Sequence, residues 1–302
     1  MKRIFAWLQP FLTMLAFFGC YFFMMSMSAA LLVPLLGNID MSAITPEEFE
    51  GLESNAGMLL LMQLSSLIGL LLTLYFFSNF PPRKDYVSIG LTGESVLKDT
   101  GLGILAGTAI ILVSFLVLWL TGTVSGLELN EAFSTGKLMI WLMIYLIVAF
   151  VEEVMFRGYF LNILMERFSP LSAVMITSLL FGFMHFLNPS FGWLGFINIV
   201  LAGVLMGLAF FRRGSIWLPV GLHMGWNFVQ GTVLGFHVSG IEAETVFQLQ
   251  LQGSEWLSGG NFGLEGSLAT TLVCLGAIGY LYYYGRLSIQ PLEFEEQKHE
   301  SD

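Results

Sequence analysis

Charged residues are scarce in this chain. Only 11% of its 302 residues are Asp, Glu, Lys or Arg, and its mean hydropathy is +0.76. Since a soluble domain carries roughly 25% charged residues, the composition excludes an ordinary soluble protein and indicates a polytopic membrane protein. The formal net charge of −10 arises from acids in loops and in the tail, and it does not favour nucleic-acid binding.

Cysteine and the usual protease signatures are also rare or missing. Cys20 and Cys274 both lie in apolar runs without a metal-type spacing, so we expect two small buried side chains and no disulfide. The sequence has no H-E-x-x-H motif, no G-x-S-G motif and no pair of aspartates within an apolar run. These absences argue against zincin-like, rhomboid-like and presenilin-like membrane proteases.

Apolar windows of about 20 residues predict an all-α membrane bundle of about eight transmembrane helices. They make up one transmembrane domain, residues 1–286, and a polar acidic tail follows at 287–302. The predicted spans lie near residues 11–36, 57–79, 101–122, 138–163, 171–187, 194–211, 215–236 and 266–285.

The distribution of Lys and Arg predicts the orientation of the chain. Basic residues cluster before span one and after spans two, four, six and eight, whereas the alternate loops are acidic and contain only Lys137. The positive-inside rule then places both termini and the tail in the cytoplasm. The first apolar run is too long for a typical signal peptide, so we expect an uncleaved span. This pattern fits a bacterial plasma membrane.

Small residues spaced four apart recur in three spans. The pairs Gly103/Gly107, Gly203/Gly207 and Gly221/Gly225 allow helices to approach closely. Packing within one chain explains them better than a dimerisation motif, and the oligomeric state is left open.

The fourth span contains three charged groups close together, although charge in hydrocarbon costs several kcal/mol per group. Glu153 and Arg157 are spaced i,i+4, so they share a helix face and can form an ion pair. Glu152 lies about 100° round the helix and is not matched by this arginine in the same way. It is therefore the candidate for a free reactive carboxylate, suited to general acid and base catalysis.

Two further apolar spans contribute polar side chains at the same spacing. Phe181 and His185 lie on the fifth span, and His223 and Asn227 on the seventh. A bundle that buries these groups must bring them together or leave each unsatisfied. A glutamate and a histidine can deprotonate a water while His and Asn donate to an oxyanion. Alternatively, two histidines and a carboxylate could bind Zn²⁺ with an open position for water.

Together these residues resemble a known family of membrane proteases. The pattern Glu152-Glu153-x-x-x-Arg157, Phe181-x-x-x-His185 and His223-x-x-x-Asn227 is similar to the three motifs of the CAAX protease and bacteriocin-processing (CPBP, or Abi) family, which includes the type II CAAX prenyl endopeptidases. The resemblance covers about residues 138–232.

The resemblance implies a peptidase with a catalytic cavity inside the membrane. Glu152 and His185 would activate water, and His223 and Asn227 would stabilise the oxyanion. In the metalloprotease description, Glu152, His185 and His223 would instead hold Zn²⁺. Supporting roles fall to Glu153, Arg157 and Phe181.

The substrate would be a lipidated or leader-bearing peptide, or a membrane-protein segment at the bilayer. Two other functions remain open: a non-catalytic scaffold or bacteriocin-immunity protein that binds a peptide or partner, and a proton-coupled transporter. One difficulty also remains, since counting the rise per residue in upright helices puts Glu152, His185 and His223 at different depths. Tilt, a deeper start of span five or a longer span four could align them.

Overall fold

The computed structural model describes residues 2–32, 56–79, 89–91 and 95–284. The predicted acidic tail, and the part of the first predicted span beyond residue 32, lie outside these ranges. Eight helical segments, numbered here in chain order, occupy the eight predicted positions. They are α1 (Lys2–Leu32), α2 (Ala56–Asn79), α3 (Val96–Leu120), α4 (Thr135–Met165), α5 (Pro170–Met184), α6 (Trp193–Arg213), α7 (Trp217–Phe228, extended by a π-helical turn Val229–Val233) and α8 (Leu268–Tyr284).

Five of the eight segments, α1 to α4 and α6, are long and apolar enough to cross a membrane. Helices α5 and α8 are also apolar but shorter. The prediction of an all-α membrane bundle is confirmed, while the number of eight crossings stays a prediction.

Local sequence signals set several of the helix ends. Helix α4 begins after Ser134, whose hydroxyl accepts a hydrogen bond from the Lys137 amide. Helix α5 begins with Ser169 as its N-cap and Pro170 in its first turn, where a missing amide hydrogen has no cost. Helix α6 ends at Gly214, which adopts φ 63°, the left-handed conformation that glycine favours after a helix.

Glycines bring α3 and α7 into backbone contact. A Cβ atom added at Gly107 would lie 2.1 Å from the Leu222 carbonyl oxygen, and one at Gly221 would lie 2.1 Å from the Thr100 carbonyl oxygen. Neither position can accept a larger residue without moving the backbone. The predicted packing role of these glycines within one chain is therefore confirmed.

This contact fixes which way the third motif faces. His223 and Asn227 each lie two residues after a glycine of α7, which is about 200° round the helix. Since the glycine face of α7 packs on α3, the two polar side chains point to the opposite side, toward the centre of the bundle. Helix α6 packs on α5 in a similar way, with Gly203 against Ser178 and Gly207 against Val174.

A short antiparallel sheet lies at one end of the bundle and was not predicted from the sequence. Strand β1 (Val124–Leu129) follows α3 and pairs with β2 (Phe247–Leu251), far along the chain. We call this the sheet end; α5 ends there, and α4, α6 and α8 begin there. Toward the opposite end, Arg213 at the end of α6 pairs with the buried Asp99 in the first turn of α3.

Candidate active site

The centre of the bundle contains a cavity of about 280 Å³, here called the inner cavity. Helices α2, α4, α5, α6 and α7 form its walls. The polar residues that line it include Glu152, His185, His223 and Asn227 from the three motifs, together with Gln63, Asn188, Asn198, Ser239 and Glu265. The three motifs, which are more than 30 residues apart in places, therefore meet around one space.

The second glutamate of the first motif anchors a buried network. Glu153 is fully buried, and its Oε1 accepts hydrogen bonds from Arg157 Nη1 at 2.8 Å and from His223 Nδ1 at 3.0 Å. Arg157 also donates to the Gly203 carbonyl at 3.2 Å and lies over the Phe181 ring, 4.6 Å from its centroid. The network thus links α4, α5, α6 and α7 behind the cavity wall.

The first glutamate of the motif faces the cavity instead. Glu152 Oε2 is buried and has no hydrogen-bond partner within the described part of the chain. It lies 3.8 Å from His223 Nε2, too far for a direct hydrogen bond and close enough for one water to contact both. The arrangement matches the sequence interpretation that Glu153 pairs with Arg157 while Glu152 stays free.

His185 is the first residue after α5, where the helix leaves carbonyl groups without partners. Its Nδ1 lies 2.8 Å from the Phe181 carbonyl oxygen, so Nδ1 carries the hydrogen and donates it. Nε2 is left for other partners. The Phe181 ring lies edge-on to both imidazoles, with centroid distances of 4.9 Å to His185 and 6.0 Å to His223. Phe181 therefore spaces the two histidines.

Upright helices would place Glu152, His185 and His223 at different depths in the membrane, but in the structure these residues lie around one cavity. Helix α4 is longer than predicted, since it begins at Thr135 and runs for 31 residues. A π-helical segment, Val154–Phe160, follows directly on Glu153 and contains Arg157. Helix α5 ends at Met184, before the predicted residue 187. Glu152, His185 and His223 consequently line the same cavity.

A second cavity, also about 280 Å³ and here called the side cavity, adjoins the first. It lies between α1, α2, α4 and α5, and aromatic residues and methionines make up most of its lining. The two cavities share Gln63, Val148, Glu152, Phe181, Met184 and His185. Glu152 and His185 therefore lie where an apolar space meets a more polar one.

The inner cavity also contains a buried carboxylate that the sequence analysis missed. Glu265 accepts hydrogen bonds from Trp226 Nε1 at 3.1 Å and from the Ser239 amide and hydroxyl at 2.6 and 2.7 Å. Burial raises the pKa of Glu265, while the bonds from Ser239 act in the opposite direction. Its only sequence signal was an acidic residue immediately before an apolar span, and acidic loop residues are common in this chain.

The predicted zinc ligands do not form a metal site in this arrangement. Among the residues that the structure describes, no three His, Cys, Asp or Glu side chains converge to hold a metal ion. Each histidine engages only its Nδ1, His223 with Glu153 and His185 with a backbone carbonyl, and keeps Nε2 for another partner. Zinc binding by Glu152, His185 and His223 therefore stays a prediction.

Comparison with known families agrees with the three motifs. Residues 134–229 match the family model described as type II CAAX prenyl endopeptidase Rce1-like. No curated protein and no solved structure matches the chain. The matched segment begins at the N-cap of α4 and ends two residues after Asn227, so it includes all three motifs and the helices that carry them. The family supports a protease activity of the CAAX type in general. The chain is thus an integral membrane protein, and its segment 134–229 is similar to the Rce1-like type II CAAX prenyl endopeptidases.

Proposed function

We propose that this protein is an intramembrane endopeptidase in which Glu152 and His185 activate a water molecule to hydrolyse a peptide bond. The observation that carries the proposal is the unpartnered Oε2 of Glu152, buried beside His223 in a cavity that His185 also lines. A buried carboxylate oxygen without a donor is costly. Such an oxygen is retained where water or substrate completes its hydrogen bonds.

In the first step, Glu152 acts as the general base. It takes a proton from a water held between it and His185, and the water oxygen forms a bond to the carbonyl carbon of the substrate. The carbonyl oxygen becomes an oxyanion, which hydrogen-bond donors already held in place stabilise more than the uncharged carbonyl. Asn227, which lines the cavity on the same face of α7 as His223, supplies an amide donor.

His223 is proposed as the second oxyanion donor, through Nε2. Its Nδ1 already donates to Glu153, so a hydrogen on Nε2 as well makes the ring an imidazolium with a carboxylate at 3.0 Å. Glu153 and Arg157 hold this ring from behind and do not reach the substrate. The tetrahedral intermediate then collapses, the carbon–nitrogen bond breaks, and the proton on Glu152 passes to the leaving amine.

The proposed substrate is a membrane-associated peptide or protein, lipidated or carrying a leader. The side cavity supports this class because Phe18, Phe22, Met25 and Met155 give it an apolar lining next to Glu152. A hydrocarbon chain or an apolar side chain would lose little on leaving the bilayer for such a space. We further propose a bacterial plasma membrane as the location, with both termini in the cytoplasm.

The decisive experiment compares wild type with Glu152→Gln in liposomes. Both proteins receive a pool of lipidated and unlipidated peptides, and cleavage is read by mass spectrometry. Wild type is expected to cut at least one peptide, and Glu152→Gln to lower the rate by about 10²- to 10⁴-fold. Glu242→Gln is the matched control, since Glu242 is exposed near the sheet end and does not line the inner cavity.

A chelator added to the same assay tests the zinc alternative. Loss of activity that Zn²⁺ restores would establish a metal and contradict the mechanism above. If Glu152→Gln and His185→Ala both fold normally and fully replace the wild-type protein in cells, the result would instead support a non-catalytic scaffold.

A further inference from the structure

We propose that Tyr21 and Ser66, here called the hydroxyl pair, form a substrate-binding site that donates a hydrogen bond to a backbone carbonyl of the bound peptide. The inference rests on the proposed function and adds a binding site to it. It predicts that the protein recognises one peptide group of the substrate, close to the scissile bond, through the hydroxyls of α1 and α2.

The hydroxyl pair joins two helices beside the side cavity. Tyr21 lies on α1 and Ser66 on α2, and their hydroxyl oxygens are 2.6 Å apart. Each residue is 7% exposed. Both line the side cavity, and Glu152 and His185 line it as well. The pair therefore shares a space of about 280 Å³ with the two groups that are proposed to activate water.

A close contact between α1 and α2 holds the two hydroxyls at bonding distance. A Cβ atom added at Gly69 would lie 2.7 Å from the backbone nitrogen of Met25. Gly69 follows Ser66 by three residues and Met25 follows Tyr21 by four, so the contact is about one turn from the pair on each helix. The geometry of the pair is therefore fixed by backbone packing before a substrate enters.

The hydroxyl pair has one hydrogen more than it uses. Two hydroxyls carry two hydrogens, and the bond between them needs only one. The neighbouring Ser65 shows the usual alternative, since its hydroxyl donates to the Leu61 carbonyl of its own helix at 2.9 Å. In the part of the chain that the structure describes, neither Tyr21 nor Ser66 has a second hydrogen-bond partner. The remaining hydrogen is thus left for a ligand in the side cavity.

The rest of the side cavity suits the side chains of a peptide but offers little for its backbone. Most of its lining is apolar, including Phe18, Phe22, Met25 and Met155. A hydrocarbon chain could fill this space, but it has no acceptor for the spare hydrogen. A peptide supplies both parts, because its carbonyl oxygen accepts the hydrogen bond while its apolar group contacts the aromatic and methionine side chains.

Gln63 extends the polar face of α2 toward Glu152. It precedes Ser66 by three residues, so the two side chains share a helix face. Gln63 lines both cavities, as Glu152 does. Helices α1 and α2 lie outside the segment 134–229 that matches the family model. The hydroxyl pair is therefore a feature of this chain that the three motifs do not specify.

The test is a double-mutant cycle between protein and substrate. Tyr21→Phe/Ser66→Ala removes both hydroxyls, and the fold is expected to survive because both partners become apolar together. In a peptide that wild type cuts, each peptide bond near the scissile bond is replaced in turn by a trans-alkene, which lacks the carbonyl. With wild type in liposomes, one replacement should raise KM about 2- to 12-fold rather than lower kcat, the range for one neutral hydrogen bond. With the double variant, the same replacement should have no effect.

A matched control makes the same chemical changes away from the cavities. Ser65→Ala/Tyr75→Phe also removes one serine and one tyrosine hydroxyl, at residues that line neither cavity. It should respond to the alkene peptides as wild type does. If Tyr21→Phe/Ser66→Ala and wild type respond equally to every replacement, the hydroxyl pair only joins the helices and the inference is overturned, while the proposed function stands.

A binding assay separates failure of this inference from failure of the proposed function. Glu152→Gln protein, with and without Tyr21→Phe/Ser66→Ala, is titrated in detergent with each peptide of the pool carrying a fluorescent label, and anisotropy is recorded. Binding that is about 2- to 12-fold weaker without the hydroxyls supports the site even if wild type cuts no peptide. Equal affinity of the two proteins, or no binding to either, overturns it.

Discussion

Removing one member of the buried Glu153–Arg157 pair should destabilise the protein more than removing both. Glu153 is fully buried and Arg157 is 1% exposed, and their side chains are 2.8 Å apart. Arg157→Met leaves the Glu153 carboxylate in the interior with only the His223 donor. An uncompensated charge of this kind costs about 3–5 kcal/mol of unfolding free energy.

The single variants should not be equally severe. In Glu153→Gln, Arg157 keeps the Gly203 carbonyl and the face of Phe181, and a desolvated cation–π contact is worth about 2 kcal/mol. The double variant carries neither charge, and the glutamine oxygen can still accept from His223. We therefore expect the double variant to be more stable than Arg157→Met alone, with a coupling energy of about 3 kcal/mol.

The assay is unfolding of the four proteins in mixed micelles with increasing SDS, followed by tryptophan fluorescence. Lys137→Met is the matched control, because its ion pair with Glu244 is 42% and 34% exposed and should contribute at most about 1 kcal/mol. Additive losses, in which the double variant loses the sum of the two singles, would refute the reasoning that burial makes this pair interdependent.

Three further outcomes are expected. Glu152→Gln should keep or raise the free energy of unfolding, because it replaces a buried carboxylate whose Oε2 has no partner among the described residues; a loss of more than about 0.5 kcal/mol would show a structural role. Gly225→Ala should cost about 1–3 kcal/mol, because its Cβ would lie 2.5 Å from the Ile104 carbonyl oxygen, while Gly101→Ala, with open space around it, should be neutral or stabilising. Burial raises the pKa of Glu265 in the folded protein. Its contribution to folding stability is therefore fully present below the pKa of the unfolded chain and is lost as the pH rises through the pKa of the folded protein. Wild type should accordingly lose stability relative to Glu265→Gln as pH rises from about 4.5, and parallel pH profiles would contradict this.

The helical bundle and the arrangement of the first motif could be predicted from the sequence because the hydrocarbon core of a membrane permits few backbone conformations. Long apolar runs must be helical in a membrane, and the i,i+4 spacing of Glu153 and Arg157 places them on one face. Glu152 is one residue earlier, about 100° round the helix, and in the structure it lies on a different face from Glu153 and Arg157. The glycine pairs predicted close helix packing for a similar reason, since a helix face made of glycines lets a neighbouring helix approach closely.

Other parts of the site depend on contacts that no local pattern encodes. The π-helical segment after Glu153 widens the helix and has no distinct sequence signature. The sheet pairs Leu127 with Leu249, more than a hundred residues away, through backbone groups that every sequence shares. Glu265 reaches the inner cavity because Ser239 and Trp226 hold it there, and spacing along the chain does not reveal those partners.

The two glutamates of the first motif show how adjacent, identical side chains acquire different roles. Glu153 Oε1 receives two strong donors, so this side chain holds His223 and Arg157 in place. Oε2 has no partner among the described residues in either glutamate, but only Glu152 lines the space where a peptide can enter. Exchanging the roles would require turning the helix by about 100°, which the packing of α4 against α2 and α7 forbids. A Glu153→Ala variant removes the acceptor for His223 Nδ1 and should therefore lower the cleavage rate, although Glu152 is still present.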